Sequence, residues 1–273
     1  MGDTLDAEVV AKLNTAVPHS ARWWNYLLGG KDNFAADRAV ADAVAEQMPE
    51  IRDFAQAGRG FLDRVVTYLA GEAGIRQFLD VGSGIPTAPN VHQVAQQVAP
   101  ESRVVYVDHD PLVLAHSREL LAGDPRGRTA FVAADLRDVE ALLAAPELTA
   151  TIDLGRPVGL LLVAIMHFVG DDDDPYGVVR RLVEALPPGS FLALSHLTGD
   201  FDAASWEHVA AIYRRSGVTM QVRSRAAVER FFAGLELVDP GVRVLPAWRP
   251  EPGAAEPPPD AQVSVYGGLA RKP

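Results

Sequence analysis

Three aspartates, each at the end of an apolar run, are the residues best placed to do chemistry in this chain. Asp80 lies in Phe78-Leu79-Asp80-Val81-Gly82-Ser83-Gly84-Ile85-Pro86-Thr87, Asp108 ends Val105-Tyr106-Val107-Asp108, and Asp135 follows Phe131-Val132-Ala133-Ala134. An apolar strand that runs into glycines lets a ligand approach the backbone closely. A carboxylate at the end of the next strand, here 24 positions beyond Gly84, can accept hydrogen bonds from both ribose hydroxyls of an adenosine ligand. A Gly-x-Gly alone is often only a turn. Three successive strands that each deliver an acid to the carboxyl edge of a sheet are a stronger signal, because open α/β sheets bind ligands there.

The acids also discriminate between adenosine ligands. A dinucleotide needs its pyrophosphate on the glycine loop, and Asp80, two residues before Gly82, would repel that anion. The third glycine of Gly-x-Gly-x-x-Gly is absent, since position 87 is Thr87. S-adenosylmethionine has no phosphate and carries a sulfonium and an ammonium, which suit an acid beside the loop. Methyl transfer from a sulfonium is an in-line displacement in which positioning can do much of the catalysis. A hydroxyl acceptor must also lose a proton, for which histidine serves. The fourth apolar run ends Val163-Ala164-Ile165-Met166-His167-Phe168-Val169-Gly170-Asp171. His167 is therefore the first candidate base and His196, after the fifth run, the second; the alternative for each is a residue that only shapes the pocket. The four aspartates 171–174 precede Pro175 and read as a solvated loop in which Asp174 caps a helix. Oxygen ligands would suit Mg²⁺, but consecutive acids point in different directions, so no metal is expected. Trp248, on a proline-rich loop, and Met166 are candidates for the acceptor pocket.

These residues need a sheet to bring them together. Strands are expected at 76–81, 103–108, 129–133, 158–165, 190–196, 235–238 and 262–269, with helical segments near 90–99, 110–122, 138–144 and 176–186 between the first five. That alternation implies a parallel sheet with right-handed crossovers. No helix separates the last two strands, only the stretch 246–261 with Pro246, Pro250, Pro252, Pro257, Pro258 and Pro259, so an antiparallel hairpin is expected at the sheet edge. Residues 1–74 read as helices alone: one capped by Ser20 and ending at Leu28, stopped by Gly29 and Gly30, one over 34–48 capped by Asn33 and ended by Pro49, and one over 50–72 with Gly58 and Gly60 as a candidate break. The expected organisation is a helical arm at 1–74 and a ligand-binding domain at 75–273.

Asp80-Val81-Gly82-Ser83-Gly84 resembles the first motif of class I methyltransferases, a Rossmann-like α/β fold with a seven-stranded, mostly parallel sheet and an antiparallel C-terminal strand. Asp108 and Asp135 match the ribose and adenine acids of that class, and their neighbours His109 and Leu136, with Ser83 and Ala164, join the implied cofactor contacts. More narrowly, Ala21-Arg22-Trp23-Trp24-Asn25-Tyr26-Leu27-Leu28-Gly29-Gly30-Lys31-Asp32-Asn33-Phe34-Ala35-Ala36-Asp37-Arg38 and Pro86-Thr87-Ala88-Pro89-Asn90-Val91-His92 resemble an actinobacterial family of S-adenosylmethionine methyltransferases long labelled as a domain of unknown function. The resemblance covers nearly the whole chain; Ile85-Pro86 departs from the general loop, where a third glycine is usual. Plant-type O-methyltransferases look similar at His167, and catechol-type enzymes use the Mg²⁺ considered above. Together with the Gly-Gly turn, the resemblance implies that the arm is a lid over the cofactor, with Tyr26, Lys31 and Asn33 in contact and Lys31 pairing with the methionine carboxylate. The alternative is a surface helix pair whose aromatics pack on the core.

Composition narrows the remaining choices. With 273 residues and 48% hydrophobic content the chain can bury a sizeable core. Its 36 acids against 25 basic residues give a net charge of −11, so neither nucleic acid nor an anionic membrane is an expected partner. The absence of cysteine excludes disulfides and thiolate chemistry. No basic and apolar leader and no membrane span are read, which makes the cytoplasm the expected location. The expected function is methylation of a small molecule, with oxygen as the candidate acceptor atom and S-adenosylhomocysteine as product. A cofactor-binding regulator without turnover is the alternative, and an NAD-dependent oxidoreductase is the reading that Asp80 and Thr87 oppose.

Overall fold

The computed structural model describes residues 13–120, 123–251, 253, 256 and 258–273. Most of the stretch read for a leader, and Pro252 and Pro257 of the proline-rich loop, lie outside the described residues. The arm forms three helices, α1 (Ser20–Leu27), α2 (Ala35–Gln47) and α3 (Ile51–Gly71). His19, not Ser20, caps α1 in extended conformation, and Gly29, at φ +83°, turns the chain out of it. Asn33 does not cap α2; its Nδ2 donates to Gly30 O and Asn25 Oδ1, while Asp37 accepts the Phe34 N–H at 2.8 Å. Helix α3 runs unbroken through Gly58 and Gly60. Each glycine costs about 1 kcal/mol in a helix, and burial of Phe54, Phe61, Leu62, Val65, Val66 and Leu69 along one face offsets that.

The rest alternates strand and helix: β1 (Gln77–Val81), α4 (Val91–Val98), β2 (Arg103–Asp108), α5 (Pro111–Leu120), β3 (Arg128–Ala133), α6 (Val139–Ala144), α7 (Pro146–Thr151), β4 (Gly159–Leu162), α8 (Pro175–Glu184) and β5 (Phe191–Leu197). The last stretch adds α9 (Ala203–Arg215), α10 (Arg225–Glu229), β6 (Glu236–Leu237), β7 (Arg243–Val244) and β8 (Val265–Arg271). Strands β1 to β5 are parallel in the order β3-β2-β1-β4-β5, and β8 lies antiparallel on β5. The chain winds outward from β1 to β3 and then restarts at β4 on the other side. The ends of β1 and β4 therefore flank a switch point, where ligands of such sheets bind.

The structure also corrects the sequence reading of the C-terminal stretch. The C-terminal hairpin has a broken outer strand: both β6 and β7 pair with β8, which sits between them and β5. Leu237 faces Ala270 and Arg243 faces Gly267, so residues loop out between the two short strands. Pro240, within that loop, has no N–H for a ladder. Helices α9 and α10 were not expected. Helix α9 buries Trp206, Val209, Ala210 and Tyr213 at helical spacing, and Asp202 caps it by accepting the Ser205 N–H.

Trp248 is likewise a core residue and not a pocket one. It is fully buried, edge-on to Phe61 at 5.2 Å, and its carbonyl accepts from Arg64 Nε at 2.9 Å. Trp248→Ala is expected to lower unfolding stability by about 3–5 kcal/mol, measured by denaturant titration, without altering ligand affinity in the folded protein. A stable variant with altered ligand affinity would return Trp248 to the pocket.

Candidate functional site

The carboxyl ends of the parallel strands open into a cleft of two lobes. The first, about 780 Å³, has Asp80, Gly82, Ser83 and Gly84 on its floor, and Ala164 and Ile165 beside them after β4. Helix α1 roofs it with Ala21, Trp24, Asn25 and Leu28, a spacing that puts one helix face over the cleft. Helix α3 adds Gly58, Arg59 and Leu62. The second lobe, about 1060 Å³, is lined by His109, Asp135, Leu136 and Arg137 after β2 and β3, with Val169 and residues 217–219 opposite. Ser20, Gly82, Asp108, Ile165 and Phe168 line both lobes, so the lobes meet at Asp108.

The glycine loop spends its own amides. Gly82 N–H and Ser83 N–H both donate to Val107 O, at 2.8 and 3.1 Å. Gly84 N–H donates to Asp108 Oδ2 at 2.9 Å. Helix α4 starts only at Val91, so no helix N-terminus follows the loop directly. The two devices that hold a pyrophosphate, free loop amides and an adjoining helix start, are both absent here among the described residues. Ser83 Oγ, by contrast, is buried on the lobe without a hydrogen-bond partner, as fits a position that meets a polar ligand.

The charges favour a cation on the floor. Burial raises the Asp80 carboxyl to about 7; Arg59 opposes that rise and Asp108 adds to it. Asp135 is held below the usual range, chiefly by its hydrogen bond from Arg137. Two backbone features shape the wall. Gly82 has φ +76°, and a Cβ there would lie 2.5 Å from Ile165 Cγ1. Ala164 adopts φ +58°, and its N–H donates to the buried Ser195 Oγ at 2.9 Å. A non-glycine residue in that region is strained, and such strain collects at ligand sites.

Several residues singled out in the sequence lie elsewhere. His167 is fully buried in the turn Met166–Phe168, with both ring nitrogens unpartnered, and burial pushes its pKa far down. His196 Nδ1 donates to Leu197 O at 2.7 Å, and its Nε2 accepts from Arg223 Nη1 at 2.8 Å. Since the guanidinium can only donate, Nε2 is the acceptor and Nδ1 carries the proton. Burial lowers its pKa to about 3. Neither imidazole is among the residues that line the two lobes. Met166 is fully buried beside them. In the arm, Tyr26 turns away to donate to Asp42 Oδ1 at 3.0 Å, Asn33 braces the Gly-Gly turn, and Lys31 does not line either lobe.

The arm residues that line the first lobe include Ser20, Trp24 and Asn25, one helix face away from Tyr26. Arg59 is a lobe-lining residue that the sequence reading does not include. The acid run is used piecemeal: Asp171 pairs with Arg223 at 2.7 Å, Asp173 lies 3.6 Å from Arg137, and Asp174 caps α8 through Gly177 N–H. Among the described residues no three metal-ligating side chains cluster. A different imidazole pair does reach the cleft. His19 Nε2 and His109 Nε2 are 3.1 Å apart, and both residues line the second lobe. His19 Nδ1 is 2.9 Å from Asp110 Oδ2, which Arg22 also grips through two nitrogens. Ala21 N–H approaches the same Nδ1 at 3.3 Å; the shorter contact, to a charged oxygen, is the one that a proton on Nδ1 satisfies.

Fold and cleft together define a class I, Rossmann-like methyltransferase architecture. The chain belongs to the S-adenosyl methyltransferase family, whose profile matches residues 6–273. It is similar to the crystal structure of a DUF574 family protein from Streptomyces avermitilis, at 50% identity over 95% of this chain and 99% of that one, with a TM-score of 0.93. A Thermobifida fusca protein, provisionally named a methyltransferase, is 42% identical over 96% and 97% of the two chains, with a TM-score of 0.88. Magnesium protoporphyrin IX methyltransferase from Synechocystis, solved with bound S-adenosylhomocysteine, shares the fold at 13% identity, covering 92% and 93%, with a TM-score of 0.52. No curated protein matches the chain. Among the described residues no helix is long and apolar enough to cross a membrane.

Proposed function

We propose that the cleft binds S-adenosylmethionine and that the protein transfers its methyl group to a small-molecule acceptor, with oxygen as the methylated atom. The observation that carries the cofactor reading is the pairing of a glycine loop whose amides are already spent with three carboxylates converging on the same edge. Such a floor repels a pyrophosphate and suits an adenosyl cation. When bound, the cofactor supplies an activated methyl group. Asp108 would accept the ribose hydroxyls, Asp135 and Leu136 would meet the adenine, and Asp80 would hold the ammonium. Phe168, Val169 and Val218 offer an apolar approach for the acceptor and exclude water from it. For a hydroxyl acceptor the proton would pass to His19 Nε2, with Asp110 holding the ring as the orienting carboxylate.

Calorimetry on the full chain tests the first part: S-adenosylhomocysteine is expected to bind and NAD is not, and tighter NAD binding would overturn the reading. The second part is tested by release of S-adenosylhomocysteine in the presence of a metabolite pool. Loss of a general base typically costs 10²–10⁴-fold, so His19→Ala should slow release by about that factor. Burial of His167 and His196 away from the cleft favours a second reading, a cofactor sensor without turnover. Tight binding with no release from any pool would support that reading.

A further inference from the structure

The first lobe carries opposite charges on its two sides. Asp80 lies on the floor, and Arg59, half-buried on α3, lines the same lobe and acts electrostatically on Asp80. Arg59 is the cationic side chain among the described residues that line this lobe. Its Nη2 donates to Thr87 O at 2.8 Å and to Pro89 O, which fixes the guanidinium against the loop after the glycines. Its Nε and Nη1 make no hydrogen bond among the described residues. Asn25 is buried in the roof. Its Oδ1 accepts from Asp32 N–H and Asn33 Nδ2, at 3.0 and 3.1 Å, which leaves Nδ2 as the unengaged donor of a lobe-lining residue. An acid facing a guanidinium and an amide donor is the complement of an α-amino-acid zwitterion, and a planar guanidinium suits a carboxylate best.

We propose that Arg59, seconded by Asn25, holds the α-carboxylate of the ligand's amino-acid tail while Asp80 holds its ammonium, so that the helical arm selects adenosyl ligands with an intact tail. This assignment rests on the adenosyl reading of the cleft. It replaces Lys31, the cation that the sequence put forward for the carboxylate and that lines neither lobe. It also gives Asn33 a part without contact to the cleft: its Nδ2 donates to Asn25 Oδ1 and so helps fix the orientation of the Asn25 amide. The Gly-Gly turn is part of the same device, because a Cβ at Gly30 would lie 2.2 Å from Asn25 Nδ2.

The test compares two ligands on the full-length chain by calorimetry: S-adenosylhomocysteine, which has the tail, and 5′-methylthioadenosine, the same nucleoside thioether without it. Arg59→Gln is expected to weaken S-adenosylhomocysteine by about 10- to 100-fold and to leave methylthioadenosine within about threefold, as for loss of hydrogen bonds to a charged group. Asn25→Ala should act in the same direction with a smaller effect, and serves if Arg59→Gln fails to fold. Because Arg59 also anchors Thr87 and Pro89, a purely structural role would weaken both ligands equally. That outcome overturns the proposal, as does unchanged affinity for S-adenosylhomocysteine. If the wild type binds neither compound, the adenosyl reading itself fails. If it binds both and the variant loses both alike, only the tail assignment fails.

Discussion

Replacing Asp80 with asparagine is expected to weaken S-adenosylhomocysteine binding by about 100- to 1000-fold, the cost of leaving a buried ammonium without its counter-charge. The same change is expected to stabilise the ligand-free protein at alkaline pH. The folded-state pKa of Asp80 is raised, from 3.8 to about 7. A raised carboxyl favours folding while it is protonated. That contribution is fully present below pH 4 and is lost as pH rises through 7. At pH 8 the ligand-free protein therefore holds a buried carboxylate whose cost is on the order of 4 kcal/mol at most, taken from the pKa difference. Asparagine removes that charge. The variant should melt several degrees higher than wild type at pH 8, with the gap closing as the pH falls toward 4.

Ligand binding should show the reverse dependence in the wild type. An ammonium pairs with the ionised carboxyl, so wild-type affinity should fall by up to about tenfold per pH unit below 7, while the asparagine variant stays weak and flat. Thermal melts and calorimetry between pH 5.5 and pH 8.5 would check both halves, on the order of one pH unit apart. A wild-type affinity that does not change over this range would remove Asp80 from the ammonium site.

What could be read from the sequence follows a physical divide. The parallel strands and their acids were legible because a buried strand is a short apolar run, and Asp80, Asp108 and Asp135 each interrupt or end one. The spacing of 24 residues from Gly84 to Asp108 is a property of one βαβ unit, so the site edge came with the fold. Helix α9 is written in the sequence as well, since Trp206, Val209, Ala210 and Tyr213 recur at i, i+3, i+4 and i+7, but it lies outside the strand-and-crossover alternation from which the sheet is read. The break between β6 and β7 depends on how a loop containing Pro240 packs against β8, which no local pattern records.

The placement of the candidate imidazoles depends on a local turn that the sequence pattern does not record. Sequence puts His167 at the end of a strand on the ligand edge, but the direction of its ring depends on the 3-10 turn Met166–Phe168. That turn sends Phe168 into the cleft and His167 behind it, where Arg223 occupies the neighbouring His196 and donates to Met166 O and Val169 O at 3.4 and 3.1 Å. In the arm the error was one of helical phase. Tyr26 and Asn25 are adjacent in sequence, yet adjacent residues on a helix point about 100° apart. The arm does cover the cleft, through the face that carries Trp24 and Asn25.

Gly82→Ala is expected to abolish ligand binding, by about 100-fold or more, through two separable costs. The first is backbone strain: Gly82 sits at φ +76°, where a Cβ costs about 1–2 kcal/mol. The second is steric. The added Cβ would lie 2.5 Å from Ile165 Cγ1, 2.8 Å from Cδ1 and 2.9 Å from Cβ. Ile165 lines both lobes, so its displacement narrows the passage where they meet at Asp108. Gly84 provides the control. It also has positive φ, +65°, but a Cβ there would meet nothing within 4 Å. Gly84→Ala should therefore show the backbone cost alone and lose far less affinity. Combining Gly82→Ala with Ile165→Ala removes the two nearest atoms and should recover part of the loss, giving a coupling of about 1 kcal/mol or more for residues in direct contact. Strictly additive effects in that cycle, or equal losses at Gly82 and Gly84, would show that the loop is limited by its backbone and that Ile165 is not the wall against which the cleft is built.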